Sequence, residues 1–181
     1  MKKLQVLFVE DNPADAAMLL HELTDAGFAP EWSRVETEAD FLVGLEKMPD
    51  IILSDYSMPR FTGLRALELL RASGRDIPLI LISGTVGEDV AVAAMRQGAV
   101  DYLLKDRTIR LVSAVERALK EKQLRAERNQ AAEKSRMQLV ELQRWREATL
   151  GREDRVQALK NEVNELLKQA GQPPRYAAGE N

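Results

Sequence analysis

Short apolar runs alternate with stretches whose apolar positions recur every three or four residues, and this alternation fills roughly the first 118 residues of the chain. The first run is "LQVLFV", after which Asn12 and Pro13 supply a cap and a first-turn proline for the helical stretch "ADAAMLLHELTDAGF". The same order recurs in "PEWSRV" and "EADFLVGLEKM", in "DIILS" and "LRALELLRASG", in "IPLILIS" and "EDVAVAAMRQG", and in "VDYLL" and a helix starting near Thr108. Five strands alternating with five helices predict an α/β fold built on a parallel, doubly wound sheet. The first, third and fourth runs are apolar at successive positions, as strands covered on both faces must be. "PEWSRV" is more polar and is expected at an edge.

In a sheet of this kind, chemistry collects at the carboxyl ends of the strands, where the strand order reverses. Those ends carry Glu10 and Asp11 after the first strand, Asp55 at the third, Ser83 at the fourth and Lys105 just past the fifth. Three carboxylates at one edge repel each other, so a proton or a cation must sit among them. Mg2+ suits such a place, because it takes oxygen ligands and favours a few carboxylates with phosphate oxygens. An aspartate held beside that ion can attack a phosphoryl group and become an aspartyl phosphate. A lysine would then share the charge on the equatorial oxygens, and a hydroxyl could bond the finished group.

The segments "FVEDNPADA", "DIILSDYSMPRFTG", "LILISGT" and "DYLLKD" resemble the receiver domains of two-component response regulators, over about residues 4–119. The resemblance implies a flavodoxin-like fold in which Asp55 accepts the phosphoryl group. It assigns Mg2+ to Glu10, Asp11 and Asp55 with the backbone carbonyl of Ser57, the phosphate-binding amine to Lys105, the switch hydroxyl to Ser83 and the switch aromatic to Tyr102. Met58, Pro59 and Gly63 match the turn after the phosphorylated aspartate. Two positions depart from the family pattern: Asp106 stands where a proline commonly follows the lysine, and Ser83 replaces the commoner threonine. A cis bond before a residue other than proline costs about 3 kcal/mol, so a trans bond and a shifted loop are expected at Asp106.

Beyond the sheet the pattern changes. From Thr108 a helical stretch runs without proline or glycine to Gly151, and its first turns, with Leu111, Val112, Val115 and Leu119, should pack on the sheet. Past Lys120 the sequence leaves little to pack on. From Leu142 the apolar register is Leu142, Trp145, Thr149, Arg152, Val156, Leu159, Val163, Leu166 and Ala170, alternating steps of three and four. With valine at the a positions and leucine at the d positions, its last part predicts a parallel two-stranded coiled coil, a homodimer through residues 142–170. Followed backward, the register meets Gln138, Ser135 and Arg128, a poorly sealed waist. Gly151 either lies within one continuous helix or marks a fold back into a hairpin. The predicted organisation is a receiver domain at 1–119, a helical extension at 120–171 and a flexible tip at 172–181.

Charge and composition narrow the outputs. Residues 1–118 carry 13 basic and 19 acidic groups and the remainder 13 and 10, so neither half is a basic footprint for nucleic acid. The absence of cysteine excludes disulfides and thiolate metal sites and suits a cytoplasmic protein. The opening "MKKLQVLFVEDNP" imitates a signal peptide only until Glu10, and no apolar run reaches the roughly 20 residues that cross a bilayer. His21 is the sole histidine and sits among Met18, Leu20 and Leu23, a packing or surface position rather than a kinase phosphoacceptor. The expected function is a switch without an output enzyme. A partner histidine kinase or phosphotransfer protein would phosphorylate Asp55, and the tail would dimerise or dock a downstream signalling protein. Self-phosphorylation and dephosphorylation with Mg2+ would be its only chemistry. The alternatives are a receiver module of a larger hybrid sensor kinase and, with less support, a DNA-binding regulator.

Overall fold

The computed structural model describes residues 1–84 and 87–176. In chain order the elements are β1 (Lys2–Val9), α1 (Pro13–Asp25), β2 (Phe28–Val35), α2 (Glu38–Glu46), β3 (Ile51–Asp55), α3 (Gly63–Ala72), β4 (Leu79–Ser83), α4 (Glu88–Arg96), β5 (Asp101–Leu104), a 3-10 turn (Thr108–Arg110) and α5 (Leu111–Gln169). All pairings are parallel, in the order β2-β1-β3-β4-β5. The predicted doubly wound, flavodoxin-like architecture is therefore the one observed, with the order reversing between β1 and β3.

Local chemistry explains where the elements begin. The Asn12 side chain accepts from the Ala14 amide and Pro13 opens α1. Thr37 caps α2 through the Asp40 amide, and Thr62 caps α3 through the Arg65 amide. Helix α1 stops earlier than its apolar spacing suggested, because Gly27 takes φ +87° and turns the chain so that Phe28 starts β2. Strand β2 lies at the edge, as its polarity predicted, and an edge strand can hold Pro30 opposite Leu4. No cis peptide bond occurs among the described residues, so the expected trans bond before Asp106 is found.

The sheet separates two apolar layers. On one face Leu4, Val6, Phe8, Leu53, Ile80 and Ile82 pack with Leu19 and Leu23 of α1 and with Leu111, Ala114, Val115 and Ala118 of α5. On the other, Leu7, Val9, Ile52, Leu79 and Leu81 pack with Phe41 and Leu45 of α2, Leu67 and Leu70 of α3 and Ala94 of α4. Burial on both faces explains why β3 and β4 read as unbroken apolar strings. The first turns of α5 cover the sheet as expected, but the helix is not finished with the domain at Lys120. Lys122 Nζ donates to the Asp50 carbonyl at 3.3 Å, and Arg125 forms an ion pair with Asp76 at 2.9 Å. These contacts are polar and leave no mark in the apolar periodicity of the sequence.

The chain divides into two compact units, Met1–Ala126 and Glu127–Asn181. Within the second unit, α5 continues through Gly151 to Gln169, so the helix does not fold back there. Gly171, at φ +71°, then reverses the chain, and the Gln172 amide donates to the Leu167 carbonyl at 2.9 Å. The segment after the reversal is tied to the helix by Asn164. Its Oδ1 accepts from the amides of Arg175 and Tyr176, and its Nδ2 donates to the Tyr176 carbonyl at 2.8 Å. Of the flexible tip expected at 172–181, residues 175–176 are thus bonded to the helix, and residues 177–181 lie outside the described residues. Val156, Leu159, Val163 and Leu166 of the predicted seam stay exposed in the single chain.

Candidate functional site

The carboxyl edge of the sheet brings the sequence-predicted residues together in the first unit. Asp55 is the last residue of β3, Ser83 the last of β4, Glu10 follows β1, and Lys105 follows β5. Parallel pairing sets these ends level, with Ser83 opposite Leu104 and the Lys105 amide donating to the Ser83 carbonyl at 2.8 Å. Glu10, Asp55 and Ser83 are buried, which is unusual for two carboxylates and calls for compensating partners.

Lys105 supplies much of that compensation. Its Nζ donates to Asp55 Oδ2 at 2.8 Å, to Glu10 Oε2 at 3.0 Å and also to Asp15 Oδ2. Burial opposes the ammonium charge, yet the bonds to Asp15, Asp55 and Glu10 outweigh it and hold the amine above the ordinary lysine range. For Glu10 the balance goes the other way. Burial pushes its carboxyl up, the bonds from Lys105 and the Asn12 amide pull it down, and repulsion from Asp55 adds to the rise.

Carboxylate oxygens of Glu10, Asp11 and Asp55 all lie within 4.8 Å of one another. An all-oxygen set on converging loops fits a hard divalent cation such as Mg2+, and such an ion would relieve the repulsion among these carboxylates. The Ser57 amide donates to Asp55 Oδ1 at 3.2 Å, which orients that carboxylate toward the turn after β3. Gly63 allows this turn to close. A Cβ there would lie 2.6 Å from the Asp55 carbonyl oxygen and 2.4 Å from Leu81 Cδ2. Met58, from the same turn, is buried in the layer beneath.

Tyr102 stands apart from the charged cluster. It pairs with Leu81 in β5, is half-buried against the layer formed by α2, α3 and α4, and borders a cleft of about 220 Å³ with Gly87, Ala91 and Arg107. His21 is exposed and pairs with Asp25 at 3.3 Å, away from these groups.

Two residues of the site were not picked out by sequence reasoning. Asp15 is one; in sequence it reads as an ordinary acidic residue in the first turn of α1. Arg34 is the other. Its Nη1 donates to the carbonyls of Glu10 at 2.8 Å and Asp11 at 3.2 Å and pairs with Glu36. Position four after Asp11 was a usable signal for Asp15, since one helical turn returns it toward the strand end. Arg34 gave none, because nothing local links an edge strand to the loop after β1.

Comparison with known proteins agrees with this fold. The sequence profile of the response regulator receiver domain matches residues 6–116. The luminescence regulatory protein LuxO of Vibrio campbellii is 36% identical over 98 residues, which cover 54% of this chain and 21% of that protein. The response regulator MprA of Mycolicibacterium vanbaalenii is 31% identical over 116 residues, 64% of this chain and 50% of that one. The chain thus spans half or less of the length of these relatives. Among solved structures, NtrX of Brucella abortus superposes with a TM-score of 0.63 at 26% identity, over 70% of this chain and 30% of NtrX. The signal receiver domain of a LuxO repressor protein from Vibrio parahaemolyticus gives 0.62 at 25% identity, over 68% and 95%. With a profile match that spans more than half of its residues, 6–116, and the strand order of that fold, the chain belongs to the response regulator receiver family of two-component systems.

Proposed function

We propose that the chain is a phosphorylation switch in which Asp55 accepts a phosphoryl group from a partner histidine kinase or phosphotransfer protein. The observation that carries this reading is the approach of Lys105 Nζ to Asp55 Oδ2 at 2.8 Å, beside Glu10 and Asp11 carboxylates within 4.8 Å. An Asp55 carboxylate oxygen attacks phosphorus in line, a new P–O bond forms, and the bond from phosphorus to the donor breaks, with the donor atom keeping the electron pair. Glu10, Asp11, Asp55 and the Ser57 carbonyl would hold Mg2+, which when bound neutralises charge on the phosphoryl oxygens. Lys105 offers N–H donors to one of those oxygens, and the Ser83 hydroxyl bonds the finished group. Hydrolysis returns the carboxylate when water attacks phosphorus and the P–O bond to Asp55 breaks, releasing inorganic phosphate. Tyr102, half-buried beside its cleft, is the aromatic that reports the change.

The extension is the output of this switch. Its exposed valine and leucine seam supports parallel pairing with a second copy, or docking of a downstream signalling protein. The domain itself would carry out no chemistry beyond its own Mg2+-dependent phosphorylation and dephosphorylation. No helix among the described residues is long and apolar enough to cross a membrane. The direct test is incubation with acetyl phosphate and Mg2+, followed by intact mass. The native chain gains one phosphoryl group and Asp55→Asn does not; an unchanged native mass refutes the reading.

A further inference from the structure

We infer that Asp15 is a positioning residue for this reaction: it holds Lys105 beside the carboxylates of the site and yields the amine when a phosphoryl group arrives. The inference rests on the reading of Asp55 as phosphoacceptor. An ammonium has three N–H donors, and here all three are spent, on Glu10, Asp55 and Asp15. A phosphoryl oxygen can be bound by Lys105 only if one of these acceptors gives way. Glu10 and Asp55 belong to the carboxylate set that faces the cation site, and their side chains are 2% and 8% exposed. Asp15 is outside that set and its side chain is 29% exposed.

Exposure decides which bond is surrendered. A buried carboxylate stripped of its partner is left without solvent, whereas Asp15 can turn outward and be hydrated at small cost. Charge acts in the same direction. Glu10, Asp15 and Asp55 meet at one lysine and Asp11 lies beside Glu10 and Asp55, an acidic grouping that favours a divalent cation but repels the approaching phosphodonor. Asp15 therefore strengthens cation binding while slowing phosphoryl transfer, and both effects pass through Lys105 and the local field rather than through contact with the reacting atoms. A purely structural role, as a first-turn acid favourable to the α1 dipole, predicts a change in stability with neither effect.

The test compares the native chain, Asp15→Asn, Asp15→Ser and Asp15→Glu by Mg2+ titration and by the rate of phosphorylation with acetyl phosphate at saturating Mg2+. Removing the charge should raise the Mg2+ dissociation constant about threefold to tenfold and, at saturating Mg2+, speed phosphorylation by about the same factor. Asp15→Glu should stay within about twofold of native in both. Two neutral variants are used so that a folding defect in one leaves the other to decide, with circular dichroism verifying each. Unchanged or slower phosphorylation in folded neutral variants overturns the inference while leaving Asp55 as phosphoacceptor. A native chain that takes no phosphoryl group overturns both.

Discussion

Arg34, on the edge strand, donates to the main-chain carbonyl of Glu10 at 2.8 Å, so the loop that carries two carboxylates of the site is held by a residue 24 positions away. The same nitrogen reaches the Asp11 carbonyl at 3.2 Å. Replacing Arg34 with Ala leaves both carbonyls without this donor. We expect a loss of stability of about 1–3 kcal/mol and a weaker grip on Mg2+. Urea unfolding and Mg2+ titration check the two effects, and an unchanged Mg2+ affinity would show that the loop is set without Arg34.

Gly63 is fixed by space. Alanine would place its Cβ 2.4 Å from Leu81 Cδ2 and 2.6 Å from the Asp55 carbonyl oxygen. The leucine tip can move, but the carbonyl belongs to the strand end that presents Asp55. Gly63→Ala should cost about 1–3 kcal/mol and slow phosphorylation by displacing the acceptor. Wild-type kinetics in this variant would contradict the packing argument.

The raised carboxyl of Glu10 makes the metal-free protein sensitive to pH. Burial is its main cause, so the folded state keeps the Glu10 proton to higher pH than the unfolded chain, whose glutamate loses it near 4.5. Its contribution to stability is complete below that value and is lost as pH rises through the raised one. Glu10→Gln cannot titrate. The gap in urea midpoint between variant and native, measured with a chelator, should therefore widen in favour of the variant as pH climbs from 4.5 toward neutrality. A gap independent of pH would exclude Glu10 as the titrating group.

Pairing of the extension is tested by charge at the d positions. Leu159 and Leu166 are 55% and 59% exposed, and in a parallel coiled coil both become core. The native chain should scatter light as a dimer at micromolar concentration. The double variant Leu159→Asp, Leu166→Asp and a chain ended after Ala126 should both be monomers. Ending at Ala126 retains the Arg125 pair with Asp76 and so leaves the first unit intact. A monomeric native chain rules the pairing out.

Most of the fold and the named members of the site were legible because they rest on local signals. Apolar period and capping chemistry mark the alternation of strands and helices, Asn12 and Pro13 marking one start. A parallel sheet places its strand ends together by construction, so Glu10, Asp55, Ser83 and Lys105 could be assigned to one edge from their positions alone. Gly151 was ambiguous, since a glycine weakens a helix by only about 1 kcal/mol, and the neighbouring residues carried the helix through it.

What the tertiary structure alone decided are pairings between side chains distant in sequence. That Lys105 divides its three donors among Glu10, Asp55 and Asp15 follows from the chain folding to bring partners 95, 50 and 90 residues away to the end of β5, and from the need to answer buried charge. The reach of Arg34 to the loop after β1, and of Arg125 to Asp76, are of the same kind. Periodicity records which face of an element is apolar. It does not record which polar groups meet once the faces are buried, because that depends on the full set of partners competing for each donor and acceptor.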